Sequence, residues 1–445
     1  MKDIVVKASM AIAFLLLSSV IFSQKAMTLQ ECISYALENN LTLKRQELQT
    51  QISKNNYKQS YFNLLPDLGA GGSHNIGRGR VADYSSFAYS NNLNSGSVGL
   101  SSNLTIFSGF QNLNTIRADY YSFLSANESL KKARNDISLS IASSFFQILY
   151  DKEYFQVLKK QYEASKLELE NTNAKYAVGS IARGAQLEVE ATAMTNLSSL
   201  TEAQNRLNMS LLTLAQMLDL DTVKNFDIVA PPILAVPDTF AENADSVIDV
   251  ALNTLPQIKG AEYALKSAER RYAVAKGAFS PQISLTGQYY SQYNLDEKTL
   301  TGEKVPVNDQ LDQKLYKQLS INLSVPIFTR FQNVKNVKNA KLNKLDAEYS
   351  LQQSKLGVRK EVEQAFADAK ASYESYKAQT KAAAAQEENF KNIRQKYELG
   401  LISHIDFVVA QNNYLKVQSD LLQAKYKFIF NLKILDFYKG IPIVL

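Results

Sequence analysis

The chain has one cysteine, two histidines and no tryptophan in 445 residues. A single cysteine excludes an internal disulfide framework. So few His and Cys side chains leave nothing from which to build a metal cluster of the usual soft-ligand type, and no cofactor is expected. Beyond the N-terminus, no apolar run approaches the roughly 20 residues that a spanning helix needs. The net charge of +6 is spread without blocks of like sign, so no nucleic-acid surface is marked. Proline and glycine are scarce over long stretches. No proline occurs between 67 and 230 or between 327 and 441. Glycine is missing from Phe110 to Val178, and Gly357 alone interrupts Phe331 to Leu399. These two residues are the main helix punctuators. Two helices of about 100 Å each, at ~1.5 Å per residue, are therefore permitted.

The N-terminus holds what the rest lacks. Met1 to Lys7 carries two lysines and one aspartate, Ala8 to Phe22 is apolar or small, and Ser23-Gln24 follows. A basic start, a short apolar stretch and a small residue mark 1–23 as a secretory signal peptide. The apolar run is too short for a bilayer span. Cleavage near Ser23 removes two lysines and one aspartate and leaves a mature charge of +5. Cys32 follows Glu31, well past the apolar run, so a lipid-anchored cysteine is not expected.

The long proline-free segments carry heptads. Ile141, Ile148, Phe155, Tyr162, Leu169 and Tyr176 recur every seventh residue, with Leu158 and Ser165 between them. Ile116, Phe123, Leu130 and Ile137 form a second series. Val362, Ala369, Tyr376, Ala383, Phe390 and Tyr397 repeat the pattern more weakly. Such a seam packs long helices side by side. An internal repeat argues against a plain rod. Ile106-Phe107-Ser108-Gly109-Phe110-Gln111-Asn112 matches Ile327-Phe328-Thr329-Arg330-Phe331-Gln332-Asn333, and Lys175-Tyr176-Ala177-Val178-Gly179 matches Lys396-Tyr397-Glu398-Leu399-Gly400, both at an offset of 221. Leu65-Pro66-Asp67-Leu68 matches Ser280-Pro281-Gln282-Ile283 at 215. The chain is two tandem copies of one unit, with a small indel in a loop.

Strands precede each long helix. Leu319, Ile321, Leu323, Val325 and Ile327 alternate with polar residues. So do Val98, Leu100, Leu104 and Ile106, and Ile283, Leu285, Tyr289 and Tyr293. A period of two with one apolar and one polar face is the pattern of transmembrane barrel strands. The segment Leu68 to Arg78, with Gly69, Gly71 and Gly72, shows it most weakly. Four strands cannot close a barrel, because single-chain barrels begin at about eight. Open edges are not tolerated in lipid. The chain must therefore form a ring: a dimer supplies eight strands and a trimer twelve.

From Met27 to Tyr438 the chain resembles the TolC family of outer-membrane efflux proteins. The resemblance rests on the opening Met27-Thr28-Leu29-Gln30-Glu31-Cys32-Ile33-Ser34-Tyr35-Ala36-Leu37-Glu38-Asn39-Asn40, on Leu65-Pro66, on Pro326-Ile327-Phe328, and on the two Lys-Tyr-x-x-Gly turns. It implies a homotrimer with a twelve-stranded barrel in the outer membrane and a helical tunnel through the periplasm. The implied layout is a first repeat at 27–220, with strands near 67–78 and 97–107 and an outer loop at Gly79 to Ser95. A long helix at 111–178 and a returning helix to 220 complete it. A connector at 221–242 follows. The second repeat, 243–438, has strands near 282–293 and 317–328, an outer loop near Leu295 to Leu315, a long helix at 330–399 and a returning helix at 405–438. A tail occupies 439–445.

The resemblance also implies the work. Substrates pass from an inner-membrane transporter of the RND or ABC type, through a periplasmic adaptor protein, and out through the barrel. Outer-membrane lipid surrounds the strands. Val178, Gly179, Ser180 and Ile181, with Leu399, Gly400, Leu401 and Ile402, match the family's adaptor-docking tips. Glycine there also caps a helix in the left-handed conformation. The family's periplasmic gate places acidic residues six and nine positions after the second tip glycine, here Asp406 and Val409. The first-copy equivalents are Ala185 and Glu188, and His404 lies beside the gate. Asp406 is equally suited to a helix N-terminus, where the dipole favours a carboxylate. An exported enzyme is the second class, but His74 and His404 fall at opposite ends of this layout. A non-conducting coiled-coil scaffold of the envelope is the third.

Overall fold

The computed structural model describes residues 26–83, 88–220, 226–231, 236–237, 239–240, 243–299 and 301–443. The expected signal peptide, and parts of the expected connector and tail, lie outside them. Nine helices and four strands form among the described residues. They are α1 (Leu29–Asn39), α2 (Leu41–Phe62), β1 (Gly69–Asp83), β2 (Ala88–Ser108), α3 (Gln111–Ala177) and α4 (Arg183–Met217). The series then restarts with α5 (Ala244–Thr254), α6 (Pro256–Gly277), β3 (Gln282–Asn294), α7 (Val307–Gln313), β4 (Tyr316–Ser324), α8 (Gln332–Glu398) and α9 (His404–Tyr438).

The duplication is visible in lengths. α1 and α5 have 11 residues each, α2 and α6 22, α3 and α8 67, and α4 and α9 35. Only α7 lacks a counterpart among the described residues. The strand-to-helix corners are duplicated in detail. Gly109 and Phe110 take φ of 64° and 60°, and Arg330 and Phe331 take 51° and 62°. At each corner the phenylalanine meets one three residues earlier edge-on, Phe107 with Phe110 at 5.4 Å and Phe328 with Phe331 at 5.7 Å. Left-handed φ is uncommon for a bulky residue, so two consecutive ones form a specific reversal.

The strands make one antiparallel sheet in the order β1-β2-β3-β4. Register pairs Leu285 with Ile321 and Leu104, and Tyr289 with Leu100, all on one face. Leu319, Ile321 and Leu323 on that face are 67–74% exposed. The other face joins hydroxyls and amides: Ser73 to Ser97 at 2.9 Å, Thr286 to Asn103 at 3.2 Å and Asn322 to Thr286 at 3.1 Å. The strand limits differ from the alternation. β1 and β2 continue to Asp83 and from Ala88, through most of the expected loop at 79–95. Ladder pairing is made by backbone groups and does not require apolar alternation. A register shift between Arg78 and Val81, at Gly79 with φ 152°, absorbs the irregularity. β4 stops at Ser324, short of 328, because Pro326 has no N–H to donate. The expected loop at 295–315 contains α7.

Compactness divides the chain differently from the repeat. One unit comprises 1–47, 130–256 and 355–445, and the other 48–129 and 257–354. Each draws on both copies, so the repeats at 27–220 and 243–438 are not compact domains. Seam residues fill the interior of the first unit: Ile141, Ile148, Val362 and Ala369 are fully buried, with Phe145, Leu149 and Phe428. Asn431 fixes α9 to α8 through bonds to the Asp368 carbonyl and Ser372 Oγ, both 3.1 Å. In the second unit the helices follow the strand order. Thr50 of α2 bonds the Ala126 carbonyl of α3 at 3.3 Å. Ser125 of α3 bonds the Gly260 carbonyl of α6 at 2.9 Å, and Glu269 of α6 faces Lys344 of α8 at 3.6 Å. α2 and α8 are therefore edge helices, as β1 and β4 are edge strands.

Gly109 and Gly277 set the closest backbone approach. A Cβ on Gly277 would lie 2.4 Å from the Gly109 carbonyl oxygen. Gly277→Ala is expected to lower stability by ~1–3 kcal/mol, as overpacking does. Gly287→Ala, whose Cβ would meet only Leu319 Cδ1 at 4.0 Å, should leave the thermal midpoint nearly unchanged. Equal midpoints for both variants would remove the steric account of this junction.

Candidate functional site

The hairpin ends hold the residues that the sequence singled out. α3 and α8 terminate identically. Gly179 has φ 72° and Gly400 φ 73°. Gly179 N donates to Tyr176 O, and Ser180 N to Lys175 O, both 2.9 Å. Gly400 N donates to Tyr397 O, and Leu401 N to Lys396 O, both 2.9 Å. This is the Schellman closure, which satisfies the last helical carbonyls. A Cβ on either glycine would meet nothing within 4 Å, so conformation and not space calls for glycine. Val178, Leu399 and Leu401 are exposed, at 80, 74 and 69%. Ile181 and Ile402 are half-buried. Apolar side chains at the turns thus stand in solvent.

The following helices start differently. Ser403 caps α9: its Oγ accepts from Asp406 N at 3.1 Å and donates to Asp406 Oδ2 at 2.7 Å. Asp406 is exposed, with its carboxylate in the first turn. Ala182 holds the same backbone conformation before α4 but has no side chain to cap with. Val409 and Glu188 are both exposed.

His404 points inward instead. Its side chain is 11% exposed. Nδ1 lies 3.0 Å from the Tyr397 hydroxyl, and Nε2 3.3 Å from Thr192 Oγ1. The Tyr397 hydroxyl donates to Glu168 Oε1 at 2.9 Å. Glu168 also stands 3.9 Å from His404 Nδ1. Four helices, α3, α4, α8 and α9, meet in this one cluster. The Tyr397 ring stacks on Phe407 at 4.5 Å, and Phe390 stacks on Tyr414 at 5.0 Å. The Tyr397 phenol is pushed well above its usual range by burial, then by its bond to Glu168, and by the charges of Glu168 and Glu188. Sequence reasoning placed Tyr397 in the heptad and missed Glu168 and Thr192. Those partners lie 229 and 212 positions from the residues they meet, so no local pattern could announce them.

Among the described residues no group of His, Cys, Asp and Glu could hold a metal ion, and no helix is long and apolar enough to cross a membrane. A sheet with one apolar and one polar face, open at both edges and joined to paired long helices, has the build of an outer-membrane channel subunit. A family model described as Outer membrane efflux protein matches 32–219 and again 247–436, once per copy. The outer membrane efflux protein BepC of Brucella suis is 22% identical over 95% of this chain and 88% of its own length. The outer membrane protein TolC of Vibrio cholerae is 22% identical over 93% of this chain and 90% of its own. The Campylobacter jejuni CmeC outer membrane channel superposes with a TM-score of 0.80, at 20% identity, over 93% of this chain and 85% of that one. The chain belongs to the outer membrane efflux protein family. It is a channel component and not an enzyme, with its sheet in the outer membrane and its long helices in the periplasm.

Two outcomes follow from the geometry. Ser403→Ala should destabilise the first turn of α9 by ~1 kcal/mol, and Ala182→Ser should strengthen α4 by a similar amount. Amide exchange at Asp406 and Ala185 reads both; no change at either amide removes the capping argument. The second outcome concerns pH. A phenol whose folded pKa is raised contributes stability that is complete below the unfolded value of 10.0. That contribution is lost as pH climbs above it. Alkaline unfolding of Tyr397→Phe should therefore be shallower than wild type above pH ~10. Identical profiles would show that this phenol does not carry the effect.

Proposed function

We propose that the chain assembles as a homotrimer and conducts substrates passively from a periplasmic adaptor and an inner-membrane transporter, of the RND or ABC type, to the exterior. The observation that carries this is the set of four uncovered edges. β1 and β4 have no outer strand partner among the described residues. On the edge helices Leu48, Ile52 and Phe62 of α2, and Leu342, Leu345 and Tyr349 of α8, are exposed at heptad-like spacing. Pairing β1 with β4 of the next copy, and the α2 seam with the α8 seam, closes a ring by one repeated head-to-tail contact. Three copies give twelve strands.

The exposed apolar tips, Val178 to Ile181 and Leu399 to Ile402, suit an adaptor surface. Asp406, Val409, Glu188 and His404 form the gate region in this reading. Three Asp406 carboxylates in a ring favour cations. Residues 1–23 direct export and are removed, 221–242 join the copies, and 439–445 form a tail.

The test combines cross-linking with conductance. Paired Ile52→Cys and Leu342→Cys should give oxidised trimers on a denaturing gel, while either single variant stays monomeric. The trimer in a planar bilayer should conduct, and Asp406→Asn should reduce its cation preference. Monomers after oxidation would overturn the ring. Conductance without change in selectivity would remove Asp406 from the gate.

A further inference from the structure

The apolar face of the sheet carries a cation next to its leucine and isoleucine rungs. Leu319, Ile321 and Leu323 of β4 point to this face, and Lys317 falls two residues earlier on the same side. Lys317 pairs in register with Tyr289, and its Nζ lies 5.6 Å from that ring's centroid. Lys314 and Lys304 close by have carboxylate partners, Glu297 and Asp296. Lys317 is exposed and has no carboxylate partner among the described residues.

Its depth follows from topology. β4 leads through Pro326 into α8, which lies in the periplasm, so the Tyr316 end is the outer end. The leucine and isoleucine rungs occupy the hydrocarbon, and Lys317 lies one rung outside them. That is the height of outer-leaflet headgroups, where a lysine is tolerated with its stem along apolar surface and its ammonium in the polar layer.

Below and beside Lys317 the same face is grooved. Leu68, Leu100, Gly287, Tyr289 and Leu319 line a trough of about 610 Å³, a size typical of small-molecule sites. A second trough of about 640 Å³ shares Leu100 and Tyr289 and runs past Gly72 and Ser291 to Leu311 and Leu315. The floor is low because small residues alternate with large ones. The overhang is fixed. Ser291 Oγ donates to the Leu311 carbonyl at 2.6 Å. The Gln310 side chain, 1% exposed, accepts from Asn294 N at 2.7 Å and donates to Asn294 O at 2.9 Å. α7 is thus held over the upper end of the trough.

We propose that this trough is a lipid site: one acyl chain of a phosphate-bearing outer-leaflet lipid lies along Leu100 and Leu319, and Lys317 takes its phosphate. Two features coincide at this occupant's place. The trough is apolar and opens onto the lipid-facing surface, and a cation without a carboxylate partner stands at its headgroup end. A peptide would leave backbone groups unsatisfied against this face. A free anion would gain nothing from the apolar trough.

Native mass spectrometry of the delipidated full-length channel tests this, with lipid A bisphosphate and phosphate-free diacylglycerol as separate probes. Lys317→Ala should lower lipid A binding at least fivefold and leave diacylglycerol unaffected, while Lys317→Arg retains it. Gly287→Leu should lower the binding of both lipids. A Cβ at that position meets only Leu319 Cδ1 at 4.0 Å, so the larger side chain fits the folded sheet and fills the trough. Lys304→Ala should bind as wild type, and bilayer conductance should be unchanged in all four variants. The two variants act by separate routes, so either one suffices if the other fails to assemble. Unaltered lipid A binding in an assembled Lys317→Ala or Gly287→Leu channel would overturn the site. So would an equal loss in Lys304→Ala.

Discussion

An unpaired backbone N–H or carbonyl in lipid costs several kcal/mol, and that cost governs this protein. The four-stranded sheet satisfies its interior ladders and leaves the outer edges of β1 and β4 open. No side-chain substitution removes this debt, because the groups belong to the main chain. Only another strand does. The edge helices α2 and α8 repeat the situation in water, where exposed heptad residues take the place of unpaired amides. In the proposed ring, membrane and aqueous portions share the same head-to-tail contact, and the tandem copies meet the demand with half the distinct sequence.

Most of the architecture was legible because it rests on local backbone chemistry. Missing prolines and glycines located α3 and α8 to within two residues, and period-two alternation located β3 almost to the residue. The repeat offsets of 221 and 215 reappear in the helix bounds. Legibility failed where the determinant is not local. The β1–β2 ladder extends through Ser-, Asn- and Gly-rich sequence, since pairing with a neighbour and not alternation keeps those residues extended. α7 is held by the Gln310 bonds to Asn294, 16 positions away. The His404 cluster depends on partners from three other helices. Lys317 looks like any surface lysine until the register assigns it to the apolar face.

Where the copies diverge is as informative as where they agree. Gly179 and Gly400 persist because an identical closure demands the left-handed conformation in both. Gly109 has become Arg330 even though the backbone twist is retained. In the first copy the neighbouring Gly277 leaves no room for a side chain, and the requirement is steric there. Ser403 and Asp406 stand where the first copy has Ala182 and Ala185. The two hairpins thus share a scaffold and differ in the chemistry displayed at their ends.

The interleaving of the copies has a consequence for biogenesis. The sheet-bearing unit needs residues 257–354 as well as 48–129, and the other needs residues from 355 onward. Neither nucleates fully from an N-terminal fragment, although most chains fold domain by domain as they emerge. β2 must wait for β3, whose partners lie 174–199 residues further along, and such distant pairing is slow. The emerging polypeptide consequently carries long amphipathic segments that lack their second-copy partners until its second half arrives. Arrival of the second half, rather than early collapse of the first, sets the pace at which such a molecule matures.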